Sequence, residues 1–109
     1  MTNVKVFRKG NEIRGFAVKG HAGAGARGEY DMVCAAVSGI AFTALGALDE
    51  MCGIHTYREA EGNIEMMLPE ALEETCRCKA AIILEAMEIG LKQIERQYPR
   101  FIRTVCKEV

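Results

Sequence analysis

The sequence is short of most things that would assign it quickly. It has almost no net charge: 14 basic and 15 acidic residues leave −1 at neutral pH. A grip on bare nucleic acid needs a strongly basic face, so direct binding to DNA or RNA is not expected. It has no run of about 18 consecutive apolar residues, so no membrane span is expected. Its opening segment, Met1-Thr2-Asn3-Val4-Lys5, lacks the apolar core and cleavage site of a signal peptide, so a cytoplasmic protein is expected. The five cysteines are odd in number, which argues against a disulfide framework. Each is then a small buried hydrophobe or a working thiol.

What is present suits one packed domain. Half of the 109 residues are hydrophobic and 27% are charged, a composition of globular rather than disordered chains. Residues 1–109 are read as a single domain with one core and no linker.

Val4 to Arg8 and Ile13 to Lys19 read as strands joined by a turn at Lys9-Gly10-Asn11-Glu12. Alternation in the second strand points Phe16 and Val18 at the core. Gly20, Gly23, Gly25 and Gly28 make the next segment too poor in side chains for a regular element. It is expected to be a mobile loop that an extended peptide could order. A helix is expected from about Asp31 to Glu50, with Asp31 as N-cap, an apolar stripe at Val33, Val37, Ile40, Ala41, Ala44 and Leu48, and Gly53 as terminator. A second hairpin (His55 to Glu59, Ile64 to Leu68), a long helix from about Leu72 to Tyr98 and a last strand from Phe101 to Cys106 complete the chain. The fold expected is α+β: a two-layer sandwich of order ββαββαβ. Its antiparallel or mixed sheet has about five strands, with two helices on one face.

Chemistry concentrates around the glycine loop. Cys34 falls in the first turn of the expected helix, where unpaired N–H groups and the helix dipole favour a thiolate, the nucleophilic form. His21 lies at the end of the second strand, where the loop can fold it back over the helix start. An imidazole within reach there could take the thiol proton and return it to a leaving amine. Asp31, Cys34 and Ser38 share one helix face at the margin of the apolar stripe. Asp31 either caps the helix or orients the imidazole, and as an anion it would work against the thiolate. Ser38 could donate a hydrogen bond into the site. The plainer alternative makes Cys34 a packing residue, since cysteine is among the most buried residue types.

Other motifs carry less. Gly23-x-Gly25-x-x-Gly28 matches the dinucleotide fingerprint in form, but Gly28 precedes the helix cap and the strand before it belongs to a hairpin. Cys76-Arg77-Cys78 has the wrong spacing for zinc, and no metal or other cofactor is expected. Cys52 and Cys106 read as packing, and His55 as an ordinary residue at a strand start. Met66, Met67 and Leu68 either fill the core alternately or form a partner surface on the open sheet face.

Gly20-His21-Ala22, the glycine-rich gap, and Tyr30-Asp31-Met32-Val33-Cys34-Ala35-Ala36-Val37-Ser38 together closely resemble the ribosomal-processing cysteine protease family, Prp. The resemblance implies a homodimeric endopeptidase. It would remove a short N-terminal extension from large-subunit ribosomal protein twenty-seven, cutting after paired aromatic residues. It also implies that His21 and Cys34 are catalytic and that Asp31 and Ser38 support them. The gap between His21 and Cys34 is somewhat longer than is usual in that family. Met32 stands where isoleucine is more usual, a volume-conserving change. The competing reading is a non-catalytic module that docks on a ribosomal or other protein partner.

Overall fold

The computed structural model describes residues 1–20, 31–60 and 62–109. The expectation of a mobile loop carrying Gly23, Gly25 and Gly28 lies outside the described residues. The elements are β1 (Thr2–Lys9), β2 (Glu12–Lys19), α1 (Met32–Cys52), β3 (Tyr57–Ala60), β4 (Asn63–Met67), α2 (Glu74–Gln97) and β5 (Ile102–Glu108). The order is the expected ββαββαβ. The five-stranded sheet runs β3-β4-β2-β1-β5. It is mixed: β5 lies parallel to β1, and the other three pairings are antiparallel.

One layer of core joins the sheet to the helices. Val4 and Val6 of β1, Phe16 and Val18 of β2, Ile64 and Met66 of β4 and Ile102 of β5 meet Val33, Val37, Ala41 and Leu48 of α1 and Ala80, Leu84 and Leu91 of α2. Fully burying a side chain of the Val, Leu or Phe class stabilises by about 1.5–3 kcal/mol, so this layer sets the arrangement. Met66 and Leu68 belong to it and Met67 does not, which settles that segment as alternation through the core.

One sequence expectation, the strict alternation in β2, is corrected. It would put Ile13 and Phe16 on opposite faces, yet they are 1% and 0% exposed in the same core. The β1–β2 pairing slips between Phe7 and Arg8, where Phe7 faces Gly15 and Arg8 faces Ile13. One extra residue on β2 inverts the parity at that bulge. By length and composition alone α1 could cross a bilayer, with a mean hydropathy of 1.7. Its buried side chains, Val33, Val37, Ala41, Ala44, Leu45 and Leu48, pack into the shared core instead.

Both ends of α1 are as expected. Asp31 has extended backbone and its carboxylate accepts from the Cys34 N–H. Gly53 takes the left-handed conformation at φ 65°, donating to Asp49 O at 2.8 Å while Ile54 N–H reaches Leu48 O at 3.1 Å. The bond from the left-handed Gly53 to the carbonyl four residues back is the αL closure of a helix.

Candidate active site

The N-terminus of α1 abuts the ends of β1 and β2, and the residues gathered there enclose a cavity of about 150 Å³. Thr2, Val18, Gly20, Cys34, Val37, Ser38 and Gly62 line it. A water occupies roughly 30 Å³ of liquid, so this space holds a reacting carbonyl and a few waters rather than a peptide. Cys34 and Ser38, one turn apart on α1, face it together as the spacing implied. Gly20, the residue before His21, lines it as well; His21 itself lies outside the described residues.

The local sequence explains how Cys34 is held. Asp31 Oδ1 accepts from Cys34 N at 3.0 Å, and Asp31 O accepts from Ala35 N at 3.0 Å. Asp31 therefore caps the helix, the first of its two expected roles. The same bond occupies the Cys34 N–H, which is not left over to bind a developing oxyanion. Cys34 is half-buried, and its Sγ lies 3.8 Å from Thr2 Oγ1.

Gly20 is required at the rim. Its φ is +89°, and a Cβ there would lie 2.7 Å from Met1 O. Its N–H donates to Asn63 Oδ1 at 3.1 Å, tying the end of β2 to the start of β4. The chain thus leaves β2 for His21 in a conformation that glycine adopts and other residues rarely do.

The remaining cysteines stand apart, and none of the five is in a disulfide. Cys52 and Cys76 are half-buried where the end of α1 meets the start of α2. There Cys52 Sγ lies 3.7 Å from Cys76 O, and Cys76 Sγ 3.9 Å from Cys52 O. Burial and the neighbouring Cys76 push the Cys52 thiol up from its ordinary value. Cys78 is exposed. Cys106, expected to be packed, is exposed and donates to Glu88 Oε2 at 3.2 Å. His55 is exposed, with Nδ1 2.9 Å from Asp49 Oδ1. Among the described residues no group of three or more His, Cys, Asp or Glu is placed to hold a metal. A larger apolar groove of about 560 Å³ runs between α1 and α2, but the reactive side chains are in the smaller cavity.

Two features escaped the sequence reading. Thr2 was left out because the first strand was begun at Val4; the alternation of Thr2, Val4 and Val6 is the signal that places it on the core face. Glu88 lies on the buried stripe of α2 and is only 5% exposed. Arg8 donates to it at 2.7 Å and to both carboxylate oxygens of Glu85 at 3.0 and 3.2 Å. This cluster clamps α2 to the far end of β1, away from Cys34.

Comparison with known proteins identifies the family and the fold. The family model described as cysteine protease Prp matches residues 1–103. The ribosomal processing cysteine protease Prp of Bacillus subtilis (strain 168) is 33% identical over 94 residues, covering 84% of this chain and 83% of its own. The structure of Staphylococcus aureus Prp, an essential ribosomal processing protease with a covalently linked product peptide, superposes with a TM-score of 0.74. It is 25% identical and covers 98% of this chain and 100% of its own. A Streptococcus mutans protein shares the fold at a TM-score of 0.79 and 23% identity, over 100% of this chain and 96% of its own. A match along nearly the whole chain displaces the reading as a non-catalytic module: the chain belongs to the cysteine protease Prp family.

Proposed function

We propose that the protein removes a short N-terminal extension from large-subunit ribosomal protein twenty-seven, cutting after paired aromatic residues, with Cys34 as nucleophile and His21 as general base and acid. The observation that carries this reading is the Cys34 thiol, half-buried on the first turn of a capped helix and facing a cavity that Gly20, next to His21, also lines. The names of the Bacillus subtilis and Staphylococcus aureus relatives support ribosomal processing as the setting.

His21 takes the Cys34 proton, and the thiolate attacks the scissile carbonyl carbon to give a tetrahedral oxyanion. Collapse breaks the C–N bond, and the imidazolium passes its proton to the departing amine. Water, deprotonated by His21, then hydrolyses the thioester and restores the thiol. Asp31 holds the helix start and Ser38 lends polarity to the cavity wall. This chemistry needs no cofactor or metal. The protein acts in the cytoplasm, as a homodimer, through its protein substrate rather than through nucleic acid or a membrane.

Incubation with a peptide carrying the paired-aromatic segment, read by mass spectrometry, tests the proposal. One cut after the aromatic pair is expected, and His21→Ala should lower turnover by roughly 10²–10⁴. An uncut peptide would remove the substrate assignment, and a fully active His21→Ala protein would remove the dyad.

A further inference from the structure

Along β1 the side chains at positions 2, 4 and 6 face the helices, and at 4 and 6 they are valines. At position 2 the series gives way to a threonine only 2% exposed. A hydroxyl so far from water needs a hydrogen-bond partner. The Thr2 N–H is taken by Phe101 O at 2.9 Å, and the contact made by its Oγ1 is Cys34 Sγ at 3.8 Å. Both residues line the same small cavity. While Cys34 is a thiol, either atom can donate. Once it is a thiolate, only the hydroxyl carries a proton, so the bond becomes O–H···S⁻. A β-branched side chain has few rotamers, so the hydroxyl is held in place.

We propose that Thr2 is a positioning residue for the reaction: its hydroxyl donates to the Cys34 thiolate, fixing Sγ at the cavity wall and favouring the charged form over the thiol. The proposal rests on Cys34 being the nucleophile. Of the titratable groups nearby, Asp31, the cap of α1, holds the Cys34 N–H, Lys19 lies at the exposed end of β2, and His21 follows Gly20 in the chain. The described residues that line the cavity carry no charged side chain besides the Cys34 thiol in its ionised form.

The test compares wild type with Thr2→Val, which keeps the shape and loses the hydroxyl, and Thr2→Ser, which keeps the hydroxyl. The readouts are the pH–rate profile of Cys34 alkylation by iodoacetamide and kcat/KM for the paired-aromatic peptide. Thr2→Val should move the alkylation profile to higher pH and lower kcat/KM at neutral pH by roughly three- to tenfold, the scale of one hydrogen bond. Thr2→Ser should restore both. Thr2→Ala serves if the valine does not fold, and it should show the same displaced profile. An unmoved profile in Thr2→Val, or equal impairment of the Val and Ser variants, overturns the proposal. Cys34→Ala is assayed alongside: if it still cleaves, the nucleophile assignment itself fails, whereas an inactive Cys34→Ala with an unmoved Thr2→Val profile removes only the role of Thr2.

Discussion

Asp31 holds one end of the helix that carries the thiol, and replacing it separates capping from charge. Its Oδ1 accepts from Cys34 N at 3.0 Å, satisfying one of the N–H groups that a helix start leaves unpaired. Losing a cap of this kind costs about 1 kcal/mol. A carboxylate at the positive end of the dipole contributes about 0.3–1 kcal/mol more. Asp31→Ala should therefore destabilise by about 1–2 kcal/mol, and Asp31→Asn, which keeps an acceptor oxygen and loses the charge, by about 0.3–1 kcal/mol. At about 4 °C per kcal/mol for a chain of this size, calorimetry should show Tm lower by roughly 4–8 °C for the alanine variant and roughly 1–4 °C for the asparagine variant. Because the cap bond ends on the Cys34 backbone, alanine should also loosen the first turn and slow alkylation of Cys34. Wild-type stability in Asp31→Ala would refute the cap. Equal losses in both variants would show that charge alone matters.

The other predictions concern the supporting scaffold. Burial alone would push Glu88 up, but the Arg8 guanidinium, the Cys106 thiol and Lys92 overcome it and hold the carboxyl below the usual carboxylate value. A folded-state value below the unfolded one, about 4.3, gives stability that is present above that pH and lost as pH falls through the folded value. Glu88→Gln should therefore flatten the acid limb of a stability–pH curve from urea titrations, and an unchanged limb would contradict the ion cluster. Gly20→Ala forces a side chain into a left-handed backbone against Met1 O, so it should cost about 1–2 kcal/mol and lower turnover by displacing His21. Gly46→Ala, with nothing within 4 Å of the new Cβ on an exposed face of α1, should instead raise stability by about 0.5–1 kcal/mol by urea denaturation, with turnover retained.

Local chemistry made much of this fold legible. The Asp31 cap and the Gly53 terminator lie within one turn of the helix they bound, so their residue types announce them. The joint placement of Cys34 and Ser38 follows from helical spacing once the helix is granted. What escaped depends on distant partners. Ile13 and Phe16 share a face because of a pairing slip against β1, which no period-2 pattern contains. Glu88 is buried because Arg8, 80 residues away in sequence, reaches it from the sheet. Thr2 became part of the site only when β1 carried it beside α1. Cys106 was read as packing from its residue type, but β5 is an edge strand with an exposed end.

Cysteine labelling tests the central claim most directly. Wild-type protein is treated with limiting iodoacetamide near neutral pH, and the five thiols are ranked by peptide mapping while peptide cleavage is followed in the same samples. Cys34 should be modified first, with activity falling in step, and Cys52 should lag because burial and Cys76 push its thiol up. An inert Cys34 with Cys78 or Cys52 labelled first, or full cleavage by protein alkylated at Cys34, would contradict the assignment of Cys34 as the nucleophile.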